Sequence, residues 1–203
     1  NLSLIISDKY SEISNHIIYR LIFEWPIETN LPQGVNKIKI SGYHFNLLGS
    51  TNNFILLNSA SNINLGNVTV VCDRNFTIAF LRVSSNKGKT SSLELCDSVI
   101  KTLEKSDQSA LENLIDYFFN LGNSFEKVKL LRNDISLTYV GFKAVLFVYN
   151  LSSFEVLKCN FFRNTFVYSD STLFLLVIDN PYTRAILRIE DCFFSSNKVV
   201  RGL

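Results

Sequence analysis

Eighteen carboxylates, two histidines and four cysteines are the side chains through which this 203-residue chain could move a proton, hold a metal or attack a substrate. Acid/base cleavage of a glycosidic bond needs two carboxyls facing one another across that bond. Asp73, Asp97, Asp134, Asp170 and Asp179 stand singly, and Glu190-Asp191 is the only acidic doublet. Neighbours in an extended strand point to opposite faces, so the doublet does not make such a pair. His16 and His44 lie far apart with no Cys at ligand spacing, and solvated or corner positions account for both. There is no Gly-x-Ser-x-Gly elbow and no phosphate-binding loop. No catalytic, cofactor-binding or metal-binding residue is assigned, no cofactor is expected, and the chain is not expected to be an enzyme.

Two other residue sets carry chemistry. Asn67-Val-Thr69, Asn75-Phe-Thr77 and Asn150-Leu-Ser152 are glycosylation sequons at predicted corners, with a fourth at Asn1-Leu-Ser3. In a chain with 22 Asn their number is close to chance, so only their placement supports an extracellular or cell-surface location. Cys159 and Cys192 occupy the same place in two copies of a repeat. Stacked copies would set them roughly 5 Å apart, as a disulfide or as two buried thiols. Cys72 and Cys96 fall at other offsets and are not paired.

That repeat organises the chain. An apolar residue at position 0, another at +2, a small, Asn or Cys residue near +5 and an apolar residue at +7 recur from Ile38, Ile63, Leu93, Val128, Phe154 and Leu187. The intervals of 25, 30, 35, 26 and 33 residues are those of a solenoid. The copy from Val128 resolves into three extended pieces, Val128–Leu131, Ile135–Tyr139 and Ala144–Tyr149, which is the content of one β-helix coil. The third piece recurs as Phe54–Leu57, Ile78–Val83 and Leu173–Ile178, and Asn58, Asn86, Asn150 and Asn180 then supply corners.

Two segments depart from the template. Ser109-Ala-Leu-Glu112 resembles a capping box, and Leu111, Leu114, Ile115 and Phe118 have helical spacing before Gly122, which predicts a short helical bulge near 109–120. A strand over Ile115–Leu121 is the alternative. Residues 1–34 form an irregular first coil in which Ile17–Trp25 resembles a third strand and Pro26 and Pro32 mark its exit. The expected fold is all-β, one right-handed parallel β-helix array over 1–203 with six to seven coils.

Phe154–Asn164 and Leu187–Asn197 share a hydrophobic-x-hydrophobic-x-x-Cys-x-Phe-x-x-Asn pattern. This resembles the coils of pectin-lyase-like parallel β-helix proteins, and especially the Phe-x-x-Asn repeats of polymorphic outer-membrane-type surface proteins. The resemblance implies a surface or extracellular repeat protein. The enzymes of that class gather outward acidic or basic groups on adjacent coils. Here the outward +1 column reads Lys39, Asn64, Glu94, Lys129, Glu155, Arg188, whose signs alternate from Glu94 onward as in a structural charge ladder. A leucine-rich repeat shares the 0, +2, +5, +7 spacing and is the structural rival. The missing apolar residue at −3, periods reaching 35 and a strand-like back of the repeat favour the β-helix.

The net charge of +2 with dispersed basic residues excludes a phosphate-tracking surface, so no nucleic acid is expected. No apolar run approaches the ~20 residues of a membrane-spanning helix. A start at Asn1 without Met suggests a segment of a longer chain. The expected function is a structural segment of an extracellular filament or cell-surface coat. Its partners would be other copies or neighbouring segments of the same chain, joined head to tail. The alternatives are an adhesin binding glycans through Tyr43, Tyr139, Tyr168 or Tyr182 and, on fold analogy alone, a carbohydrate-active enzyme.

Overall fold

Alternating short apolar segments that cannot each bury a face alone find partners by stacking coil upon coil. The computed structural model describes residues 2–7, 27–29, 35–42, 44–47, 55–57, 62–72, 79–83, 91–102, 115–123, 125–137, 142–166, 170–178 and 184–199. Their strands form three large sheets in which every pairing is parallel and each strand's neighbours come from the preceding and following coils. The first, seven-stranded, sheet runs Leu2–Ser7, Val35–Ser41, Asn62–Gly66, Ser91–Cys96, Phe125–Leu131, Ser153–Leu157, Ile186–Glu190. The second, six-stranded, runs His44–Leu47, Thr69–Cys72, Val99–Thr102, Asp134–Ser136, Asn160–Phe162, Phe193–Ser195. The third, also six-stranded, runs Ile27–Thr29, Ile55–Leu57, Leu81–Val83, Ile115–Asn123, Phe142–Tyr149, Thr172–Val177. Thr165–Phe166 and Lys198–Val199 add a short fourth pairing. Parallel sheets whose strands step regularly through the sequence make a β-helix solenoid.

The register is the one the repeat demands. Ile38 pairs with Ile63, Ile63 with Leu93, Leu93 with Val128, Val128 with Phe154, and Phe154 with Leu187. Positions 0 and +2 of the middle coils point inward and are buried: Ile63 and Leu65, Leu93 and Leu95, Val128 and Leu130, Phe154 and Val156. Aromatic rings fill the space between the sheets. Phe80 stacks on Phe118 with ring centroids 5.6 Å apart, and Phe174 meets Phe154 and Phe161 edge-on at 5.1 and 5.3 Å. This core removes large aliphatic and aromatic surfaces from water at each coil, the main drive to stack.

The chain turns from the first sheet to the second at +4. Asn67, Asp97, Arg132, Lys158 and Asp191 all have φ between 51° and 55°, and Gly42 has φ 78°. A left-handed residue with a side chain is costly by itself. Here the cost is offset along the column, because the N–H of Asn67, Asp97, Arg132 and Lys158 each donates to a carbonyl of the next coil at 2.9 Å. A second left-handed corner holds Arg163 and Ser196 at +9, and Asn150 (φ 59°) makes the predicted corner after the third strand. Asn58, Asn86 and Asn180 lie outside the described residues.

Two expectations change. Ile115–Asn123 is a strand, paired with Leu81–Val83 and Phe142–Tyr149, so the helical bulge does not extend over 115–120 and the strand alternative holds there. The rest of that prediction, 109–114, lies outside the described residues. The spacing of Ile115 and Phe118 fits a helix turn, but parallel partners on both sides and burial of Phe118, Phe119 and Leu121 outweigh so weak a local preference. Gly122 closes no helix; it sits in this strand with φ 52° against the carbonyl of Val83. The irregular first coil follows the common path where it is described. Leu4 pairs with Ile38, and Ile27–Thr29, which follows Pro26 in the sequence, is a strand of the third sheet. A proline without an N–H fits just ahead of a strand. Ile17–Trp25 lies outside the described residues. The described return segments are strands of the third sheet, where a leucine-rich repeat would carry a helix.

Candidate functional site

Coils that stack in register bring like offsets together, so a polar residue that recurs at one offset becomes a column. At +5 the column is Val68, Ser98, Asn133, Cys159, Cys192. The N–H of Val68 donates to Ser98 Oγ at 3.1 Å and that of Ser98 to Asn133 Oδ1 at 3.0 Å. The N–H of Asn133 points to Cys159 Sγ at 3.4 Å and that of Cys159 to Cys192 Sγ at 3.5 Å. Each side chain also donates to a main-chain carbonyl: Ser98 Oγ to Cys96 O at 2.7 Å, Asn133 Nδ2 to Leu95 O at 2.8 Å, Cys192 Sγ to Val156 O at 3.3 Å. Only a side chain that both accepts and donates can do this, which explains why the offset carries Ser, Asn and Cys from Ser98 onward, while Val68 takes part through its main chain alone.

A second column stands at +10, the Asn of Phe-x-x-Asn. Leu137 N–H donates to Asn164 Oδ1 at 2.8 Å, and Asn164 N–H to Asn197 Oδ1 at 3.1 Å. Asn164 Nδ2 reaches back to Ile135 O at 3.0 Å and Asn197 Nδ2 to Phe161 O at 2.8 Å. Sequence reasoning found the motif but not this role. The signal available was the fixed spacing of Asn from Phe161 and Phe194 in two copies.

Outside, the +1 column is in register throughout, from Lys39 to Arg188. Asn64 Nδ2 donates to Glu94 at 2.9 Å and Lys129 Nζ lies 3.5 Å from Glu94. Arg188 leaves the column to bond Glu190 in its own strand at 2.6 Å through two nitrogens. At the +4 corner Arg132 grips Asp97 at 2.5 and 2.7 Å. The guanidinium bonds hold the carboxyls of Asp97 and Glu190 below the usual carboxylate range. Both are thereby kept ionised, the opposite of what a general acid needs. Asp134 accepts from Asn160 at 2.7 Å, and Asp73 and Asp179 lie outside the described residues.

Compared with known proteins, the chain matches no family model, no curated protein and no solved structure.

The candidate residues fall as follows. Cys159 is buried and Cys192 half-buried, adjacent in the +5 column as two thiols. Burial pushes the thiol of Cys159 up, against bonds from Asn133 that pull it down. Cys96 is also raised, first by burial and then by Glu94 and Asp97. Asn67 and Asn150 are exposed on left-handed corners; Asn75 lies outside the described residues. So do His16 and Tyr43, Tyr139, Tyr168 and Tyr182, while His44 is exposed at the start of its strand. Among the described residues no three His, Cys, Asp or Glu side chains gather as metal ligands, and no helix is long and apolar enough to cross a membrane.

The coil Ile186–Val199 presents what earlier coils bury. Leu187, Ile189 and Phe194 are 59%, 53% and 46% exposed, whereas Phe154, Val156 and Phe161 directly beneath them are at 1%, 0% and 0%. Phe194 lies face to face on Phe161, centroids 4.9 Å apart and planes at 7°, with its other face uncovered among the described residues.

Proposed function

We propose that this chain is a non-catalytic structural segment of an extracellular filament or cell-surface coat, in which β-helix coils stack end to end. The observation that carries this reading is the outer face of the coil Ile186–Val199, where Leu187, Ile189 and Phe194 continue the interior columns into solvent. A contiguous apolar cross-section beside an unpaired strand edge is a surface that natural proteins cover. A contact between unlike ends repeats into a fibre when it does not close. The polar side chains support a structural role, since the recurring ones are engaged in the +1, +4, +5 and +10 columns. Exposed sequon asparagines at two corners support an extracellular setting, because a glycan there points away from the stack.

Electron microscopy and fibre diffraction of the native material test this. Fibres or an ordered layer with an axial spacing of about 4.8 Å are expected. Dispersed particles without that spacing overturn the reading. Mass spectrometry of peptides containing Asn67 and Asn150 tests the location, with glycan mass on at least one expected.

A further inference from the structure

Building on the extracellular reading, we infer that of the two sequons at described corners only that of Asn67 accepts an N-linked glycan in a secretory pathway. The folded coils present this sequon and lock the one at Asn150. The donor is an oligosaccharide carried on a lipid pyrophosphate. Asn67 Nδ2 attacks its anomeric carbon, a C–N bond forms as the C–O bond to the pyrophosphate breaks, and the nitrogen gives up one proton.

Both working residues of the first sequon lie on the outside. Asn67 is exposed on its left-handed corner and Thr69 is half-exposed, with Val68 buried between them. Their surroundings hold the main chain and spare the side chains. The N–H of Asn67 donates to Cys96 O at 2.9 Å and its carbonyl accepts from the N–H of Gly42 at 3.1 Å. Neither the Asn67 amide nor the Thr69 hydroxyl has a hydrogen-bond partner among the described residues. The +4 column also leaves room for a sugar. Gly42 lies beneath Asn67 without a side chain, and Asp97 above it is drawn to Arg132 at 2.5 and 2.7 Å, on the side away from Asn67.

The second sequon is closed at its third residue. Asn150 is exposed, but Ser152 Oγ donates to Glu126 O at 2.7 Å and the Ser152 N–H donates to the same carbonyl at 2.9 Å. The Ser152 carbonyl in turn accepts from the N–H of Ile186 at 2.9 Å, and Leu151 and Phe154 on either side are buried. A sequon is read through its hydroxyl as well as its asparagine, so a docked hydroxyl is a closed sequon. Glu126 precedes Ser152 in the sequence, so its carbonyl is already made when Ser152 emerges. Docking can therefore compete with transfer from the start.

Peptide mass spectrometry of the whole chain, expressed behind a secretion signal in a eukaryotic host, tests this. Occupancy at Asn67 is expected to exceed that at Asn150 by roughly threefold or more, the bias imposed by the two hydrogen bonds on Ser152. Two variants separate docking from a preference of the transferase for threonine over serine. Ser152→Thr keeps the hydroxyl and should leave Asn150 sparsely occupied. Phe154→Asp disrupts the coil that docks Ser152 and should raise occupancy at Asn150 by roughly twofold or more, read in the cell extract whether or not the variant is secreted. Equal occupancy of the two sites, a bare Asn67, full occupancy of Asn150 in Ser152→Thr, or no rise in Phe154→Asp each overturns the inference. The native material separates it from the extracellular reading. A chain that takes the glycan at Asn67 in the host but carries none in its native setting upholds the choice of sequon and counts against that location.

Discussion

The N–H of Ser98 donates to Oδ1 of Asn133 at 3.0 Å, while Nδ2 of the same Asn133 reaches the carbonyl of Leu95 at 2.8 Å. One buried side chain thus satisfies two main-chain groups of the coil beneath it at a corner where the ladder is interrupted. Replacement by alanine leaves both without a partner, at about 1–3 kcal/mol each. Asn133→Ala is expected to lower the melting temperature by roughly 5–12 °C. Asn133→Asp should do at least as badly, since a carboxylate cannot donate to Leu95. Thermal unfolding followed by circular dichroism checks this, and an alanine variant as stable as wild type would remove the column from the account of what holds the corner.

Gly122 makes a separate prediction. A Cβ added there meets the carbonyl oxygen of Val83 at 2.7 Å, and its φ of 52° is already unfavourable for a side chain. Gly122→Ala should cost about 2 kcal/mol or more, because main chain must move on one side or the other. Gly66→Ala is the control. Its Cβ would meet Asn64 Oδ1 at 3.7 Å and Ser41 Cβ at 3.9 Å, ordinary contacts, so the change should be neutral or slightly stabilising. Denaturant midpoints of the two variants should fall on opposite sides of, or at least well apart from, one another.

Phe161 and Phe194 stack in one interior column, but only Phe161 is closed in from both sides. Phe161→Asp buries an unpaired charge between two coils and should cost at least a few kcal/mol. Phe194→Asp, at a half-exposed ring, should cost clearly less. Equal melting of the two variants would contradict the register.

The register itself was legible because its cause is local. Inward positions at 0 and +2 must be apolar in every coil, and Ile63, Leu93, Val128 and Phe154 announce them. The corner at +4 was legible only in part, since Gly42, Asn67, Asp97 and Asp191 tolerate the left-handed region but Arg132 and Lys158 have no such preference of their own. Their conformation is stabilised by carbonyls 25 to 34 residues away, as with Asp97 N–H to Leu131 and Arg132 N–H to Leu157. The same holds for Ile115–Asn123, where a helical pattern lost to partners on both edges. The open face was visible as apolar residues at Leu187, Ile189 and Phe194. The donor and acceptor roles of Cys192 and Asn197 emerged only when the columns beneath them could be followed.

Asp97 carries a prediction in pH. The Arg132 guanidinium bonds its carboxylate at 2.5 and 2.7 Å and holds the folded-state pKa below the unfolded value, near 3.9. A group shifted this way binds more protons in the unfolded chain. Its stabilisation is therefore complete above the unfolded pKa and fades as pH falls through the folded one. Glu190, held down by Arg188, acts in the same direction. Both pairs are solvent-exposed, so the effect is small and screened by salt. Between pH 5 and about pH 2 the wild-type melting temperature should fall more steeply than that of an Asp97→Asn, Glu190→Gln variant, and 1 M salt should bring the two slopes together. If the variant instead loses stability as steeply as wild type at low salt, these ion pairs do not couple to folding, and the acid sensitivity must come from other carboxylates.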